Sequence, residues 1–325
     1  MSSIAALKYQ CFLVSMLFVS VFYGCSQQNS ESTVADTTTV TRAQSWVATT
    51  GHIADALREI SAGTNVNIKT LCGPGVDPHS YNASTNDVQA IANADAVFFN
   101  GFHLEARLHH LLETEFGDKS WAMAAAFPAD ARLDWVEDGQ IDPEAPFDPH
   151  IWNHLPGWSK CVEGLLARVC EVDPINAEIY KKNGQGYVDE ILTVHQKAVK
   201  EFEPISQERR VLVSAHDAFN YFANVYGFDA IAVLGIGNDA EADVKTIREV
   251  AKTVCDRKVP VIFLENITNP KVTAALQEAC AAQDWQVEIA DQPLYSDALG
   301  VAAPTDTFLG AFITNVELIS KSLKQ

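Results

Sequence analysis

Hydrophobic positions from Trp46 onward fall into two alternating patterns. Short apolar runs are typical of buried strands, and longer segments with apolar residues every three or four positions are typical of helices facing a core. Ser84 and Asp87 have the spacing of a capping box at the start of one helix. The alternation predicts an α/β fold. Strands are predicted at 66–71, 96–100, 210–214, 229–234, 259–264 and 286–289, and helices at 85–94, 104–116, 219–226, 241–255, 270–284 and 307–321.

One helical pattern is longer than the others and lies between the two sets of strands. Asp173 is a favourable capping residue and Pro174 suits the first helical position. About thirty residues of helix would span about 45 Å, although Gly184 and Gly186 weaken the helical propensity of the middle. We therefore predict two α/β lobes joined by one long helix. The predicted boundaries are 43–172 for the first lobe, 173–203 for the helix and 204–325 for the second lobe.

The first 25 residues have the features of an export signal. Lys8 precedes an uncharged apolar run at 11–23, which is shorter than the roughly 20 residues of a membrane-spanning helix but suits the core of a signal peptide. The run ends at Gly24 and Cys25, a pair that resembles a bacterial lipobox, in which the cysteine is lipidated. Residues 26–42 are polar and predict a flexible linker. We expect an exported protein, periplasmic or on the cell surface, anchored by lipid at Cys25 or, alternatively, cleaved without a lipid.

Composition and charge narrow the range of partners. Hydrophobic residues make up 47% of the 325-residue chain, which is enough for a large core and unlike a disordered protein. The formal net charge of −19 repels phosphate backbones, so we expect no nucleic-acid partner. An acidic surface attracts cations without specifying one.

The cysteines do not predict a thiolate site. Five lie outside Cys11 and Cys25, so they cannot all pair, and none forms a CxxC motif of the zinc-finger type. Cys161 and Cys170 would be about 13 Å apart along a helix, which is too far for a disulfide. A Cys255–Cys280 disulfide remains open.

Four residues at strand-to-loop junctions are candidate metal ligands. His79 and His150 each end an Asp-Pro-His tripeptide, and proline-stiffened turns hold an imidazole with little freedom left to lose. His216 follows the predicted strand at 210–214, and Asp297 lies in a loop after the strand at 286–289. Three imidazoles and one carboxylate suit a closed site for a divalent ion such as zinc. Taken singly, each residue could equally be a capped turn or a satisfied polar group.

The remaining histidines are not predicted to bind metal. Four of them lie inside apparently helical segments, where we expect surface or packing roles: His52, His109, His110 and His195.

Several blocks of sequence resemble the metal-binding-lipoprotein family of ABC-transporter substrate-binding proteins, the zinc/manganese cluster. They are GPGVDPHSYNASTNDVQAIANADAVFFNGFHLEARL, DPHIWNH, VLVSAHDAFNYFANVYGF and QPLYSDALG. The resemblance implies two lobes linked by a rigid helix, a buried metal between them and delivery of that metal to a membrane permease. It also implies that His79, His150, His216 and Asp297 are the ligands. We expect the protein to be a monomer.

The resemblance favours zinc over manganese as the transported ion. Family members with Glu at the position of His216 tend towards manganese, and a histidine there is similar to zinc-binding and mixed members. His103, in the block NGFHLE, is expected to be a structural polar group. Because protons compete for imidazole, metal affinity should fall as the pH drops through about 6.5.

Two other functions remain as alternatives. A zinc metalloenzyme would need an open coordination position for water, which four protein ligands do not leave. The spacing of His150 and His154 suits a helical metalloprotease motif, but Ile151 stands where the general-base Glu is needed. A surface adhesin of the same family, or a receptor for another small ligand, is the second alternative, and neither would require three junction histidines.

Overall fold

The first half of the chain is built around a parallel sheet. The computed structural model describes residues 42–137, 140–141, 143, 145–236 and 243–324. The strand order is β2-β1-β3-β4, and all neighbours run parallel. The predicted strands do not include β1, because its sequence QSWVATT has only three consecutive apolar residues between polar ones. The strands are β1 (Gln44–Thr50), β2 (Val66–Cys72), β3 (Ala96–Phe99) and β4 (Ser120–Ala122).

Two helices connect the first three of these strands in sequence order, α1 (Gly51–Ser61) and α2 (Thr85–Asn93). An irregular segment follows β3. The predicted capping box is confirmed, since Ser84 and Asp87 each accept the other's backbone N–H. The predicted helix at 104–116 is irregular, with a 3₁₀ turn at Ala106–Leu108 and a π-helical turn at Leu111–Glu115.

The segment that leads to the long helix is mostly made of short turns. Single 3₁₀ turns lie at Met123–Ala126, Ala129–Ala131 and Ile151–Asn153. Between the second and the third of these turns lie two short antiparallel strands, β5 (Val136–Glu137) and β6 (Gln140–Ile141).

Two antiparallel-packed helices form the connection between the halves, α3 (Leu155–Val172) and α4 (Ala177–Phe202). A 3₁₀ turn at Pro174–Asn176 joins them, and the 26 residues of α4 correspond to about 39 Å. The long predicted helix is therefore present and continuous. A Cβ on Gly184 would approach Leu166 of α3 to 2.9 Å, so this glycine permits the close packing of α3 on α4.

The second half repeats the α/β pattern with shorter strands. β7 (Val211–Ser214) pairs in parallel with β8 (Asp229–Ala232), and β9 (Val261–Ile262) pairs in parallel with β10 (Glu288–Ile289). The amide of Phe263 donates to the carbonyl of Val213 at 2.8 Å and so connects the two pairs. The helices are α5 (Asn220–Tyr226), α6 (Val244–Asp256), α7 (Pro270–Ala281) and α8 (Phe308–Leu323). These strands and helices lie at the predicted positions, although the strands are shorter than predicted. The first two residues of the predicted helix at 241–255 lie outside the described residues.

One hydrophobic cluster runs through both halves. It includes Trp46 on β1, Trp158 on α3, Ile191 on α4 and Phe312 on α8. The long helix is therefore embedded in a shared core rather than exposed as a linker, which limits relative movement of the two sheets. In the part of the chain that the structure describes, no helix has the length and apolarity to cross a bilayer. The five described cysteines are free, including Cys255 and Cys280.

Candidate metal centre

The two Asp-Pro-His tripeptides form the same local turn. The amide of His79 donates to Asp77 Oδ1 at 2.8 Å, and the amide of His150 donates to Asp148 Oδ1 at 2.9 Å. Such a hydrogen bond from residue i+2 to an Asp side chain defines an Asx turn. The tripeptide thus fixes the backbone at each histidine, which explains why the same three residues occur at both positions.

Asp148 also contacts the imidazole that it positions. His150 Nδ1 lies 2.8 Å from Asp148 Oδ1, while Asp148 Oδ2 accepts a hydrogen bond from Asn220 of α5 at 3.1 Å. When the ring is neutral and Nδ1 donates to the carboxylate, Nε2 carries the free lone pair and faces the His79 and Asp297 side chains. Asp148 therefore sets both the orientation and the tautomer of His150.

His216, from the other half of the molecule, also has a carboxylate beside its ring. It follows β7, and its Nδ1 is in direct contact with Glu265 Oε2. Glu265 Oε1 accepts the backbone N–H groups of Ala215 and His216, each at 2.9 Å. The carboxylate therefore fixes the strand end and the ring together, and leaves Nε2 of His216 directed away from Glu265.

Asp297 completes the cluster from the loop before α8. Asn315 of α8 holds this loop, because it accepts the amide of Tyr295 at 2.8 Å and donates to the Tyr295 carbonyl at 2.7 Å. Asp297 Oδ2 lies 3.2 Å from His79 Nε2 and 3.3 Å from His216 Nε2. The loop thus places one carboxylate among the ring nitrogens of both halves.

The four side chains lie close enough to bind a single zinc ion. His79 Nε2 and His150 Nε2 are 3.3 Å apart, and His150 Nε2 is 3.6 Å from Asp297 Oδ1. Zinc bonds of 2.0–2.1 Å in a tetrahedron place neighbouring ligand atoms about 3.3 Å apart. One ligand atom from each of His79, His150, His216 and Asp297 lies within 4.8 Å of the others. All four predicted ligands are brought together, two from each side of the long helix.

Buried, unsatisfied atoms at the centre fit a cation. Both carboxylate oxygens of Asp297 are buried and accept no well-formed hydrogen bond from the described residues. His79 is 7% exposed, and His150, His216 and Asp297 are at most 1% exposed. An unpaired carboxylate in such surroundings is costly unless a positive charge lies beside it. The donor set of three imidazoles and one carboxylate is suited to zinc and also accepts other transition metals.

The surrounding charges favour protonated histidines in the metal-free site. Burial by itself lowers the pKa of His150, but the charges of Asp297 and Asp148 outweigh it and raise this pKa to about 9. Burial also lowers the pKa of His216, and Glu265 and Asp297 raise it well above its usual value. Burial raises the pKa of Asp297, whereas His216 and His150 lower it to well below the usual range. A metal must therefore displace protons in order to bind.

The other histidines lie outside the cluster, as predicted. His52 is a buried packing residue whose ring stacks on Trp152 at 4.7 Å, and burial lowers its pKa to about 4. His103 lies in a turn with a φ of 64°, and its ring is 5.1 Å from that of His109. His109 and His110 are exposed next to glutamates, and His195 Nδ1 lies 3.2 Å from the Tyr226 hydroxyl.

Sequence reasoning missed the roles of two carboxylates. Asp148 was part of the recognised motif, but only the fold shows that it contacts the His150 ring. Glu265 directly follows the predicted strand at 259–264, the position at which parallel sheets present functional residues. That rule could have singled it out as a candidate.

Comparison with known proteins agrees with this architecture. Residues 47–322 match the profile of a family described as "Zinc-uptake complex component A periplasmic". The chain belongs to this family. The zinc-binding protein TroA of Treponema pallidum is 34% identical over 279 residues, which cover 85% of this chain and 88% of TroA. The manganese-binding lipoprotein MntA of Bacillus subtilis is also 34% identical, over 85% of this chain and 89% of MntA.

A solved structure of a family member has the same fold. The periplasmic zinc-binding protein TroA from Treponema pallidum superimposes with a TM-score of 0.81 at 33% sequence identity. The match covers 87% of this chain and 99% of TroA. The predicted architecture of two α/β lobes and one long helix is thereby confirmed.

The contact between Glu265 and His216 gives a testable effect on metal binding. In Glu265→Gln, an amide NH₂ can replace Oε2 and disfavour the tautomer that leaves Nε2 free. We expect zinc affinity to fall by roughly 10- to 100-fold, the usual effect of losing such a partner. Competition titration against a chromogenic chelator measures the change. Glu278→Gln, at an exposed position on α7, is the matched control and should keep the wild-type affinity. Equal affinities of the two variants would contradict the role given to Glu265.

Proposed function

We propose that this protein is the extracytoplasmic metal receptor of an ABC importer. It binds one divalent transition-metal ion through His79, His150, His216 and Asp297 and delivers it to a membrane permease. The observation that carries the proposal is the closed set of four buried ligands, one atom of each lying within 4.8 Å of the others. Family membership and the zinc- and manganese-binding relatives support it.

Zinc is the favoured ion, with manganese as the alternative. Three imidazole nitrogens suit zinc, whereas manganese prefers a site richer in oxygen ligands. The relatives do not decide between the two, because a zinc-binding and a manganese-binding protein are equally similar to this chain. The preference for zinc therefore rests on the donor atoms.

A carrier fits the site better than an enzyme does. Catalytic zinc has three protein ligands and an open position for water or substrate. Here the fourth position is taken by Asp297, whose free oxygens face the ring nitrogens. An adhesin has no need of such a centre, so the same observation favours transport.

Delivery requires movement of the ligand-bearing segments. Because no ligand side chain is more than 7% exposed, an ion cannot leave without a shift of the loops around it. We propose that the protein is a monomer and that the permease induces this shift. We also propose that the first lobe spans residues 43–172, the connecting helix 173–203 and the second lobe 204–325. We also propose export and a lipid anchor at Cys25, which lies outside the described residues.

Metal analysis of the purified protein tests the proposal. We expect one tightly held zinc ion per chain by mass spectrometry of the metal content, and stronger binding of zinc than of manganese in competition. A crystal structure with anomalous data at both metal edges would locate the ion. Protein that holds no metal as purified and binds neither zinc nor manganese on addition would refute the receptor function.

A further inference from the structure

One short turn connects His150 with both ligands of the other half. The 3₁₀ turn Ile151–Asn153 directly follows His150. Trp152 Nε1 donates to the carbonyl of Ser296 at 3.0 Å, one residue before Asp297. Asn153 Nδ2 donates to the carbonyl of Ala218 at 2.8 Å, two residues after His216. Two successive side chains thus hold the backbone beside two different ligands.

These two hydrogen bonds are buried, which makes them sensitive to substitution. Trp152 and Asn153 are each 2% exposed. If a buried carbonyl loses its hydrogen-bond donor, no water can replace that donor. The unsatisfied carbonyl then costs free energy, which favours a shift of its backbone. The Trp152 ring is also locked, because it stacks on His52 at 4.7 Å and meets the edge of His150 at 5.3 Å. The turn is therefore held in one geometry, and its two hydrogen bonds hold Ser296 and Ala218 relative to it.

We propose that the turn Ile151–Asn153 is a positioning clamp that sets the separation between His150 and the metal ligands of the second half. The inference rests on the proposed function, since it gives Trp152 and Asn153 the role of positioning the ligands of the same metal site. Zinc coordination tolerates deviations of only about 0.2 Å in each bond. A clamp that fixes Ser296 and Ala218 relative to His150 keeps Asp297 and His216 within that tolerance.

A pair of tryptophan substitutions tests the clamp. Trp152→Phe removes the Nε1–H donor, and Trp158→Phe is the matched control. Trp158 is completely buried on α3, and its Nε1 makes no hydrogen bond to any residue of the described chain. Both variants lose indole area, but only the first loses a hydrogen bond to the loop of Asp297. We expect zinc affinity to fall about tenfold in Trp152→Phe and less than twofold in Trp158→Phe.

A spectroscopic measurement separates positioning from general stability. Co²⁺ bound in a tetrahedral site gives intense d–d absorption that responds to the ligand arrangement. We expect the band of Trp152→Phe to shift or weaken, whereas the control keeps the wild-type spectrum even if its melting temperature falls. Asn153→Leu, which removes the donor to Ala218 at similar side-chain size, should change affinity and spectrum in the same direction. It provides an independent test if Trp152→Phe does not fold.

The outcomes distinguish the clamp from the receptor function. Wild-type protein that binds neither zinc nor Co²⁺ would refute the receptor function itself. Wild-type protein that binds both, with Trp152→Phe and Asn153→Leu matching the control in affinity and spectrum, would refute the clamp alone.

Discussion

His216→Ala should lower zinc affinity by between about 60- and 700-fold. A four-ligand zinc site contributes roughly 10–16 kcal/mol, so one ligand accounts for about 2.5–4 kcal/mol, and 1.4 kcal/mol corresponds to tenfold. The loss also leaves the buried carboxylate of Glu265 without its imidazole partner. Isothermal titration with a competing chelator measures the affinity. The zinc-induced rise in melting temperature should shrink in parallel, because that rise depends on the dissociation constant.

Two further variants make this result interpretable. His195→Ala removes an imidazole that packs near Tyr226 and is not part of the ligand cluster, so it should bind zinc like the wild type. Asp297→Asn keeps the shape of a ligand but removes its charge, and it should weaken binding without creating a cavity. If His216→Ala folds normally by circular dichroism and still binds zinc as tightly as His195→Ala, the ligand assignment is wrong.

Zinc affinity should fall by up to roughly 100-fold for each unit decrease in pH between pH 8 and pH 6. A protonated imidazole has no lone pair for a metal, so each proton that must be displaced changes affinity by about tenfold per pH unit. Nearby carboxylates raise the pKa of His150 to about 9 and that of His216 well above its usual value, so both rings are in the imidazolium form at pH 7 in the metal-free protein. The decline therefore begins well above the pH of about 6.5 expected from unperturbed histidine.

Calorimetry in buffers of different ionisation enthalpy counts the displaced protons. We expect about two protons to be released per zinc ion at pH 7. Asp148→Asn removes one of the charges that raise the pKa of His150, so this variant should release fewer protons. Affinity that stays constant from pH 8 to pH 6, together with no proton release, would contradict the charge arrangement described for the site.

The repeated Asp-Pro-His tripeptide shows which features of the site can be predicted from residues that are neighbours in sequence. Asp77 and Asp148 each form an Asx turn with the histidine two residues later, so the two ligands of the first half are positioned by neighbouring residues. Such turns depend on side-chain reach and proline geometry, which the sequence displays directly. The long helix was also predictable, because its apolar residues recur at helical spacing on both sides of the longer gap that contains Gly184.

Other features depended on residues that are distant along the chain. The irregular turns at 104–115 have the apolar spacing of a regular helix, and β1 has only three consecutive apolar residues between polar ones. Glu265 reaches His216 from 49 residues away, and Trp152 reaches Ser296 from 144 residues away. No local pattern encodes such pairs.

The sequence by itself determined the fold class, the four candidate ligands and their division between two halves of the chain. These follow from periodicity, turn chemistry and donor type, which are properties of short segments. Only the tertiary structure decided that the four donor atoms meet within 4.8 Å, that Glu265 contacts His216, and that Asp297 and Asp148 raise the pKa of His150. The physical reason is that distance, burial and electrostatic interaction between remote residues exist only once the chain has packed around its shared core.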